Sequence, residues 1–274
     1  MPLVTLSDVL RPALTNRTCV VGLVTLGWED MRAYVAAAEA EGVPVILQAG
    51  PSCRAHTPLS VLGAMFRHLG DAAGVPVVAH LDHGYTRDEC RIALDCGFTS
   101  VMFDGSRSPL AQNIDDTAAI AEMAHAAGAS CEGEIGFVGY AGGDTSAGTD
   151  PEQAAIFARD TGVDALAVSV GNVHLQQHPD GGLDMDRLRA IEAVTDVPLV
   201  IHGGSGVPPA QRRTLAQDTK VCKVNIGTEL RMAFGDALRA AVAADPARFD
   251  RVAILRDTHD PLVAATRAVL RAFR

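Results

Sequence analysis

Histidine and carboxylate side chains stand together near the end of one short apolar run, residues 75–84. The run is too short for a helix and is closed by a glycine, which indicates a buried strand. Its last residues include His80, Asp82 and His83, three groups that can bind a metal or move a proton. In α/β folds, chemistry is done where strands end, so this stretch predicts part of an active site.

Other ligating groups follow other apolar runs. In chain order they are Asp104, Glu132, Glu134, Asn172, His174, His202 and Asn225. If the runs are parallel strands of one barrel, their carboxyl ends share a rim and these side chains meet. Three imidazoles from separate strands, His83, His174 and His202, suit a tetrahedral zinc ion that keeps one position for a substrate. His80 is open to two interpretations: a hydrogen-bonded structural residue, or one that orients Asp82 or the metal site.

Glycine-rich turns follow the seventh and eighth runs. Glycines directly after a strand let backbone N–H groups approach an anion, and the N-terminus of the next helix favours negative charge. Loops at these two positions of a barrel commonly bind phosphate. We therefore expect a phosphate site that includes Gly203, Gly204, Ser205, Asn225, Ile226, Gly227 and Thr228.

The order of elements along the chain supplies a scaffold for these groups. Short β-branched runs alternate with longer amphipathic segments, and the predicted strands are 19–24, 43–48, 75–84, 100–103, 129–135, 164–170, 197–202 and 220–225. This uninterrupted pattern predicts an α/β fold, a (β/α)8 TIM barrel in a single domain 1–274, rather than two doubly wound domains. Residues from about 245 to 274 are expected to form a C-terminal helical extension. The apolar stripe of segment 260–273 predicts packing within the chain or an oligomer contact.

Composition excludes several classes of partner. The formal net charge is -10 and no basic block offsets it, which argues against a nucleic-acid partner. No apolar run approaches the length of a membrane span, so no membrane partner is expected. The six cysteines are scattered without a C-x-x-C pair, which indicates isolated thiols in a reducing compartment, the cytoplasm.

Five motifs carry a resemblance to a known family. They are His80-Leu-Asp-His-Gly84, Ser100-Val-Met-Phe-Asp104, Glu132-Gly-Glu-Ile-Gly136, Leu199-Val-Ile-His-Gly-Gly-Ser-Gly206 and Lys223-Val-Asn-Ile-Gly-Thr228. With them the chain resembles, over nearly its whole length, the class II zinc-dependent ketose-bisphosphate aldolases, which include the fructose- and tagatose-bisphosphate enzymes.

The resemblance implies a reaction and a set of roles. The reaction is reversible cleavage of a phosphorylated ketose into a three-carbon ketose, similar to dihydroxyacetone phosphate, and an aldehyde, through a metal-stabilised enediolate. Asp82 matches the catalytic acid/base. The matching metal residues are His83, His174 and His202 for the zinc ion, and Asp104 and Glu134 for a second divalent or a monovalent cation. The phosphate segments match those expected above, and the family resemblance also implies a homodimer or homotetramer.

Four departures from the family pattern concern substrate contacts. The family's Phe-Asn after the first strand is replaced within Leu23-Val-Thr25, and Gly50 stands where a serine is frequent. Leu175 replaces a glycine after the histidine of the sixth strand, and the lysine that follows slightly later in the family is missing. In the family, the loop after the fifth strand carries acidic residues that exchange the proton on the three-carbon enediolate. Here that loop leaves Asp144 as the nearest carboxylate for this loop acid/base, with Tyr140 as another candidate.

The metal pattern is thus kept while part of the substrate pattern is changed, which leaves three hypotheses. The first is an aldolase for a ketose phosphate other than the common bisphosphates, such as a deoxy or chain-altered sugar. The second is a metal-dependent sugar-phosphate isomerase or epimerase, and the third is a non-catalytic sugar-phosphate-binding relative. The complete set of metal ligands together with Asp82 favours the aldolase.

Overall fold

Eight parallel strands form a closed barrel in the computed structural model, which describes residues 3–178 and 182–274. Each strand pairs with the next, and β8 pairs with β1. The strands are β1 (Val20–Val24), β2 (Val45–Ala49), β3 (Val77–Gly84), β4 (Ser100–Phe103), β5 (Ser130–Ile135), β6 (Ala165–Val168), β7 (Leu199–Ile201) and β8 (Val221–Ile226). The predicted TIM barrel is confirmed.

Helices surround the barrel and extend beyond the last strand. They are α1 (Leu6–Asn16), α2 (Trp28–Glu41), α3 (Pro51–His56), α4 (Leu59–Ala72), α5 (Arg87–Asp95), α6 (Leu110–Ala126), α7 (Pro151–Thr161), α8 (Met185–Glu192), α9 (Pro209–Asp218), α10 (Thr228–Ala244), α11 (Arg251–Arg256) and α12 (His259–Ala272). Helix α3 is not predicted by the sequence analysis. It is six residues long, too short to show an amphipathic period, and it begins at Pro51, a residue suited to a first helical turn. Within the described residues no helix has the length and apolar character needed to cross a membrane.

Helix α1 closes the amino-terminal end of the barrel. Thr5 caps it, with reciprocal hydrogen bonds between Thr5 and Asp8. Its buried residues, Leu6, Val9, Leu10 and Ala13, belong to one apolar cluster with strand residues that include Val20, Ile46 and Val78. One end of the barrel is therefore filled with apolar side chains, which leaves the carboxyl ends of the strands as the place for polar groups.

The C-terminal helices complete the ring on the side of the barrel. Helix α12 packs against α2 and α10, the helices that follow the first and last strands. Its apolar stripe is buried in the main core at Leu262, Val269, Leu270 and Phe273. Of the two roles predicted for this stripe, the structure shows packing within the chain.

Candidate metal and substrate site

The end of β3 departs from regular strand geometry, and this presents two adjacent functional side chains to one cleft. The pairing of β3 with β4 shifts register between Leu81 and Gly84, and His83 has a φ of 53°. Consecutive residues of a regular strand point to opposite faces, yet Asp82 and His83 both line the cleft at the carboxyl end of the barrel. The left-handed backbone of a histidine is unfavourable by itself, so the surroundings must hold it.

Arg54 of α3 provides much of that support. Its guanidinium donates to the carbonyl oxygen of Asp82 at 2.8 Å and to the carbonyl oxygen of His83. The same guanidinium pairs with the carboxylate of Glu89 on α5. The helix that the sequence analysis did not predict therefore fixes the backbone of the two residues that it ranked first for chemistry.

The three predicted zinc-binding histidines converge. Nε2 of His83 lies 3.1 Å from Nδ1 of His202, and one ring nitrogen from each of His83, His174 and His202 lies within 4.8 Å of the others. Nε2 of His174 is buried and has no hydrogen-bond partner among the described residues. Two nitrogens bound to one tetrahedral zinc ion at 2.0–2.1 Å lie roughly 3.3 Å apart, so this spacing fits shared coordination. The residues present therefore fit the metal that the resemblance implies.

Two carboxylates border the same histidines. Oδ2 of Asp104 lies 2.8 Å from Nδ1 of His83, and Oε2 of Glu134 lies 3.8 Å from that nitrogen and 3.7 Å from Nδ1 of His202. His83, Asp104 and Glu134 form a second group that could hold a cation. Asp104 has a further geometric role, because a carboxylate on the second nitrogen of a metal-binding histidine fixes the tautomer and orientation of the ring.

The electrostatics of this cluster favour a bound cation. Burial raises the pKa of Glu134 to about 8, and the charge of Asp104 adds to the increase. Burial alone would lower the pKa of His83, but Asp82, Asp104 and Glu134 outweigh it and raise the pKa to about 9. Burial, followed by the charge of His83, lowers the pKa of His174 to about 4. At neutral pH His174 is therefore neutral, while His83 and Glu134 carry protons that a divalent ion would displace on binding, because metal ligands must be deprotonated.

A buried polar network lies beneath the histidines. Glu132 accepts a hydrogen bond from Nε2 of His202 at 3.1 Å, and its other carboxylate oxygen lies 2.9 Å from Nζ of Lys223. His80 bonds to Oγ of Ser100 at 2.8 Å through Nδ1, while its Nε2 lies 3.7 Å from Glu132. The sequence analysis placed Glu132 at the rim without a role and did not single out Lys223. The signal for Lys223 was its position two residues before Asn225 on β8, which points both side chains to the same face.

Asp82 lies beside the metal-binding group and is held as a carboxylate. Its Oδ1 accepts a hydrogen bond from Nδ2 of Asn225 at 3.4 Å. Burial opposes ionisation, but the charges of His83 and then His202 lower the pKa of Asp82 below its ordinary value. A Cβ atom added at Gly50 would lie 3.3 Å from Oδ2 of Asp82, a tight contact, so the glycine that replaces the family's frequent serine lets this carboxylate lie close to the backbone.

The predicted phosphate segments form one wall of a cleft of about 260 Å³. Its lining includes Gly203, Ser205, Asn225, Gly227 and Thr228, whereas Gly204 and Ile226 lie behind the wall. Gly203 has a φ of 65°, and a Cβ atom there would lie 2.2 Å from the carbonyl oxygen of Val173, so this turn requires glycine. The N-terminus of α10, a helix of 17 residues without a side-chain cap, opens at this wall.

The loop between β5 and α7 folds over the histidines. The ring of Tyr140 stacks on His174 with centroids 4.8 Å apart, and Tyr140 lines the cleft. Asp144 points elsewhere: its carboxylate pairs with Arg107 at 2.5 Å and is 62% exposed. Arg107 also covers the ring of Phe137 at 4.1 Å. Of the two candidates for the loop acid/base, Tyr140 alone belongs to the cleft lining.

Comparisons with known proteins agree with this geometry. Residues 4–274 match the family model for fructose-bisphosphate aldolase class II. The chain is 33% identical over its whole length to a fructose-bisphosphate aldolase of Geobacillus stearothermophilus, covering 97% of that protein. Over 84% of the chain it is 38% identical to a 6-phospho-5-dehydro-2-deoxy-D-gluconate aldolase of Shouchella clausii (strain KSM-K16), covering 80% of that protein.

Solved structures extend the comparison to the fold. The crystal structure of the YdjI aldolase from Escherichia coli K12 matches with a TM-score of 0.84 and 26% identity, over 99% of this chain and 97% of the other. This structural match covers nearly the whole chain, from the barrel to the C-terminal helices, and the family model matches nearly the same residues. The protein therefore belongs to the class II fructose-bisphosphate aldolase family and is an aldolase, a lyase of the aldehyde-lyase type.

Proposed function

We propose that the protein reversibly cleaves a phosphorylated ketose into dihydroxyacetone phosphate, or a closely similar three-carbon ketose, and an aldehyde, with zinc at His83, His174 and His202. The observation that carries the proposal is their convergence beside Asp82, at the base of a cleft whose wall is formed by the turns after β7 and β8. A volume of about 260 Å³ suits a small metabolite. Zinc bound there would act as a Lewis acid that stabilises negative charge on the ketose oxygens.

The chain's own residues divide the remaining work. In the cleavage direction, Asp82 takes the proton from the substrate hydroxyl on the carbon that becomes the aldehyde carbon. In the condensation direction, it returns that proton to the aldehyde oxygen. Backbone N–H groups at Gly203 to Ser205 and at Gly227 and Thr228 hold the phosphate. Asp104 and Glu132 keep the rings of His83 and His202 in position.

Proton exchange on the three-carbon product needs a second group. We favour the Tyr140 hydroxyl, because it belongs to the cleft lining and its ring is fixed against His174. Burial raises the pKa of Tyr140, so its hydroxyl is protonated at neutral pH and can give its proton to the three-carbon enediolate; by microscopic reversibility the same group takes that proton back in the exchange reaction. Asp144, the nearest loop carboxylate, remains the alternative and would have to leave Arg107 to reach the cleft.

The substrate is proposed to be a ketose monophosphate with a deoxy or chain-altered tail. Val24 lines the cleft where the family carries a polar residue, and Gly50, which also lines the cleft, lacks the hydroxyl of the family's frequent serine. The Shouchella clausii relative is named for a deoxy sugar acid, and its substrate class is the one that we propose for this chain.

The chemical types of the ligand atoms indicate which cations could bind in the second position. Asp104 and Glu134 offer carboxylate oxygens, which suit harder cations than the three imidazoles do. We propose that zinc occupies the histidine group, and that His83, Asp104 and Glu134 hold zinc in an alternative position or accept a second divalent or a monovalent cation.

The decisive experiment is a cleavage panel with the zinc-loaded protein. It contains fructose 1,6-bisphosphate, tagatose 1,6-bisphosphate, 6-phospho-5-dehydro-2-deoxy-D-gluconate and other deoxyketose phosphates, and released dihydroxyacetone phosphate is measured. We expect turnover of a deoxy monophosphate and little cleavage of the bisphosphates. Efficient bisphosphate cleavage would contradict the proposed substrate class. A product with an unchanged number of carbon atoms would favour the isomerase or epimerase, and ligand stabilisation without any product would favour the non-catalytic binder.

The proposal extends to the organisation of the protein. We propose that residues 1–274 act as a single domain in the cytoplasm, and that the protein is a homodimer or homotetramer. The six cysteines are all free thiols, as a reducing compartment would leave them. Phe249 is 96% exposed and Val252 is 72% exposed, which leaves apolar area for a second copy. Light scattering of the purified protein tests the subunit number, and a monomer would contradict it.

A further inference from the structure

Arg212 of α9 joins the two segments that form the glycine-rich wall of the cleft. Its Nε donates to the carbonyl oxygen of Val207 at 3.1 Å, and its Nη2 donates to the carbonyl oxygen of Ser205 at 3.5 Å, both in the turn after β7. The same guanidinium forms a two-point ion pair with the carboxylate of Glu229, at 2.8 Å and 3.5 Å. Glu229 lies in the first turn of α10, so one side chain connects the turn after β7 to the helix after β8.

A hydrogen bond on the other side of this connection joins the same two segments. Oγ of Ser205 accepts from the backbone N–H of Glu229 at 3.2 Å. Because α10 has no side-chain cap at its N-cap residue, Gly227, the hydroxyl of Ser205 satisfies one of the N–H groups left free in its first turn. Ser205, Gly227 and Thr228 line the cleft. The contacts of Arg212 therefore act on the wall where the phosphate is proposed to bind.

The guanidinium of Arg212 has a fixed position. The residue is only 6% exposed, and its Cζ lies 5.4 Å from the ring centroid of the fully buried Phe273. A two-point pair between a guanidinium and a carboxylate also restricts the orientation of both groups. Arg212 is not among the described residues that line the cleft, so it does not reach the substrate itself.

The ion pair also changes the charge beside the wall. Glu229 directly follows Thr228, and an uncompensated carboxylate there would repel a bound phosphate. Arg212 neutralises this carboxylate while it holds the turn after β7. Backbone N–H groups from two segments bind one phosphate well only if both segments already have the right relative position.

We infer that Arg212 is a positioning residue for the substrate phosphate, which acts through Ser205 and Glu229, an inference that rests on the proposed function. Without Arg212, the turn after β7 and the first turn of α10 lose their common partner, and binding must then order them. The loss of affinity should therefore be specific to phosphorylated ligands and should leave the zinc group unaffected.

The test measures binding to the zinc-loaded full-length protein by calorimetry. Its two probes are dihydroxyacetone phosphate and its phosphate-free counterpart dihydroxyacetone, the second measured as a competitor of the first. Arg212→Met should weaken binding of dihydroxyacetone phosphate by about 10- to 100-fold, the size expected for lost charge-assisted hydrogen bonds. Binding of dihydroxyacetone, and of zinc in competition with a chelator, should not change. Arg212→Lys, which keeps the charge without the planar fork, should lose about 3- to 10-fold and decides the matter if Arg212→Met does not fold.

Arg189→Met is the matched control. Arg189 also pairs with a nearly buried carboxylate, that of Glu192 at 2.9 Å, and it donates to the carbonyl oxygen of Asp218. Asp218 ends α9 shortly before β8 begins, so this pair lies at the opposite end of the barrel from the cleft. Arg189→Met should lower stability without changing the affinity for dihydroxyacetone phosphate.

Glu229→Gln tests whether the ion pair transmits the effect. Combined with Arg212→Met, it should give a double variant that binds dihydroxyacetone phosphate at least about threefold more tightly than additive single effects would allow. Additive effects would contradict coupling through Glu229 and overturn the inference. Unchanged affinity of the Arg212 variants, or an equal loss in Arg189→Met, would also overturn it.

These measurements separate this inference from the proposed function. They need no turnover, so binding of dihydroxyacetone phosphate by a protein that fails the cleavage panel would contradict only the proposed reaction. No binding of dihydroxyacetone phosphate by the wild type would contradict the phosphate site, and the role of Arg212 with it.

Discussion

Two adjacent residues, Asp82 and His83, allow catalysis and metal binding to be separated. Asp82→Asn should lower kcat by about 10²–10⁴-fold, the usual contribution of a positioned acid/base, while zinc stays bound. His83→Ala should lower both kcat and zinc content, because it removes one of three converging nitrogens. Steady-state kinetics and metal analysis of the dialysed proteins provide the measurements. Loss of zinc from Asp82→Asn would contradict the assigned division.

Glu132 connects a metal-binding histidine to a fully buried lysine. Glu132→Gln removes the charge that compensates Lys223, and breaking such a buried pair costs about 3–5 kcal/mol of unfolding free energy. The variant also removes the carboxylate that orients His202, so zinc affinity should fall by about 10–100-fold. Denaturant unfolding and zinc titration against a competing chelator measure the two effects separately.

A double variant distinguishes the two roles of Glu132. In Glu132→Leu combined with Lys223→Met, no charge of this pair remains buried, and apolar replacement of a complete buried pair is often neutral or stabilising. The free energy of unfolding should therefore recover toward the wild-type value while zinc affinity stays low. Recovery of both would mean that the orientation of His202 does not depend on Glu132.

The two candidates for the loop acid/base, Tyr140 and Asp144, can be distinguished by the effects of their variants on proton exchange. Tyr140→Phe should slow exchange of the dihydroxyacetone phosphate C–H proton with solvent by about 10²-fold or more, because it removes the hydroxyl that belongs to the cleft lining. Asp144→Asn should have little effect, since that carboxylate pairs with Arg107 outside the cleft lining. Proton exchange followed by NMR gives both rates, and the reverse order would assign the role to Asp144.

At the scale of elements, α3 supports the end of β3 through one arginine. Arg54→Lys keeps the charge but removes the planar fork that reaches the carbonyl oxygens of Asp82 and His83. Hydrogen bonds from a charged group contribute about 1.5–3 kcal/mol, so the free energy of unfolding should fall by that amount. Arg91→Lys on α5 is the control, because its ion pairs are exposed. Equal unfolding midpoints for the two variants would contradict this role of α3.

Most of the fold could be predicted from the sequence, because the local pattern of residues in most elements agrees with the secondary structure that they form. Apolar β-branched runs alternated with longer amphipathic segments along the chain, which is the pattern of a barrel of parallel strands and helices. Helix α3 could not be predicted, because six residues do not show a period. The bulge at Asp82 and His83 was equally hidden, since register depends on the neighbouring strand.

The site was predictable to the extent that residue type alone indicates chemistry. Histidines at strand ends were found, and the structure brings them together. The partners of Glu132 depend on distances across the barrel, which no local pattern contains. Asp144 shows the same limit: the sequence places it on the right loop, but only tertiary structure shows its carboxylate paired with Arg107.

At the scale of the whole molecule, the C-terminal helix is held to the start of the ring by one carboxylate. Glu41, the last residue of α2, pairs with Arg267, Arg271 and Arg274 of the C-terminal segment. The hydrogen bonds from Arg271 and then Arg267 lower the pKa of Glu41 to about 2. Because α12 packs against both α2 and α10, this contact connects the first and the last strand–helix units of the barrel.

That contact predicts a pH-dependent difference in stability. The folded pKa of Glu41 lies below the unfolded value of about 4.3, so its contribution is complete above that value and is lost as pH falls through about 2. Glu41→Gln should therefore lower Tm at pH 7 relative to wild type, and the difference should shrink between about pH 4 and pH 2. Trp28, the single tryptophan, lines a groove with Leu255 and His259 and can report the transition by its fluorescence.

A matched variant gives this prediction its control. Asp236→Asn removes a carboxylate of the same kind of ion pair, but Asp236 is 73% exposed and its partner Arg239 lies on the same helix. Exposed pairs contribute little to stability, so Asp236→Asn should track wild type at every pH. If Glu41→Gln also tracks wild type from pH 7 to pH 2, the docking of α12 depends on its buried apolar stripe, and the arginine cluster contributes only local order at the surface.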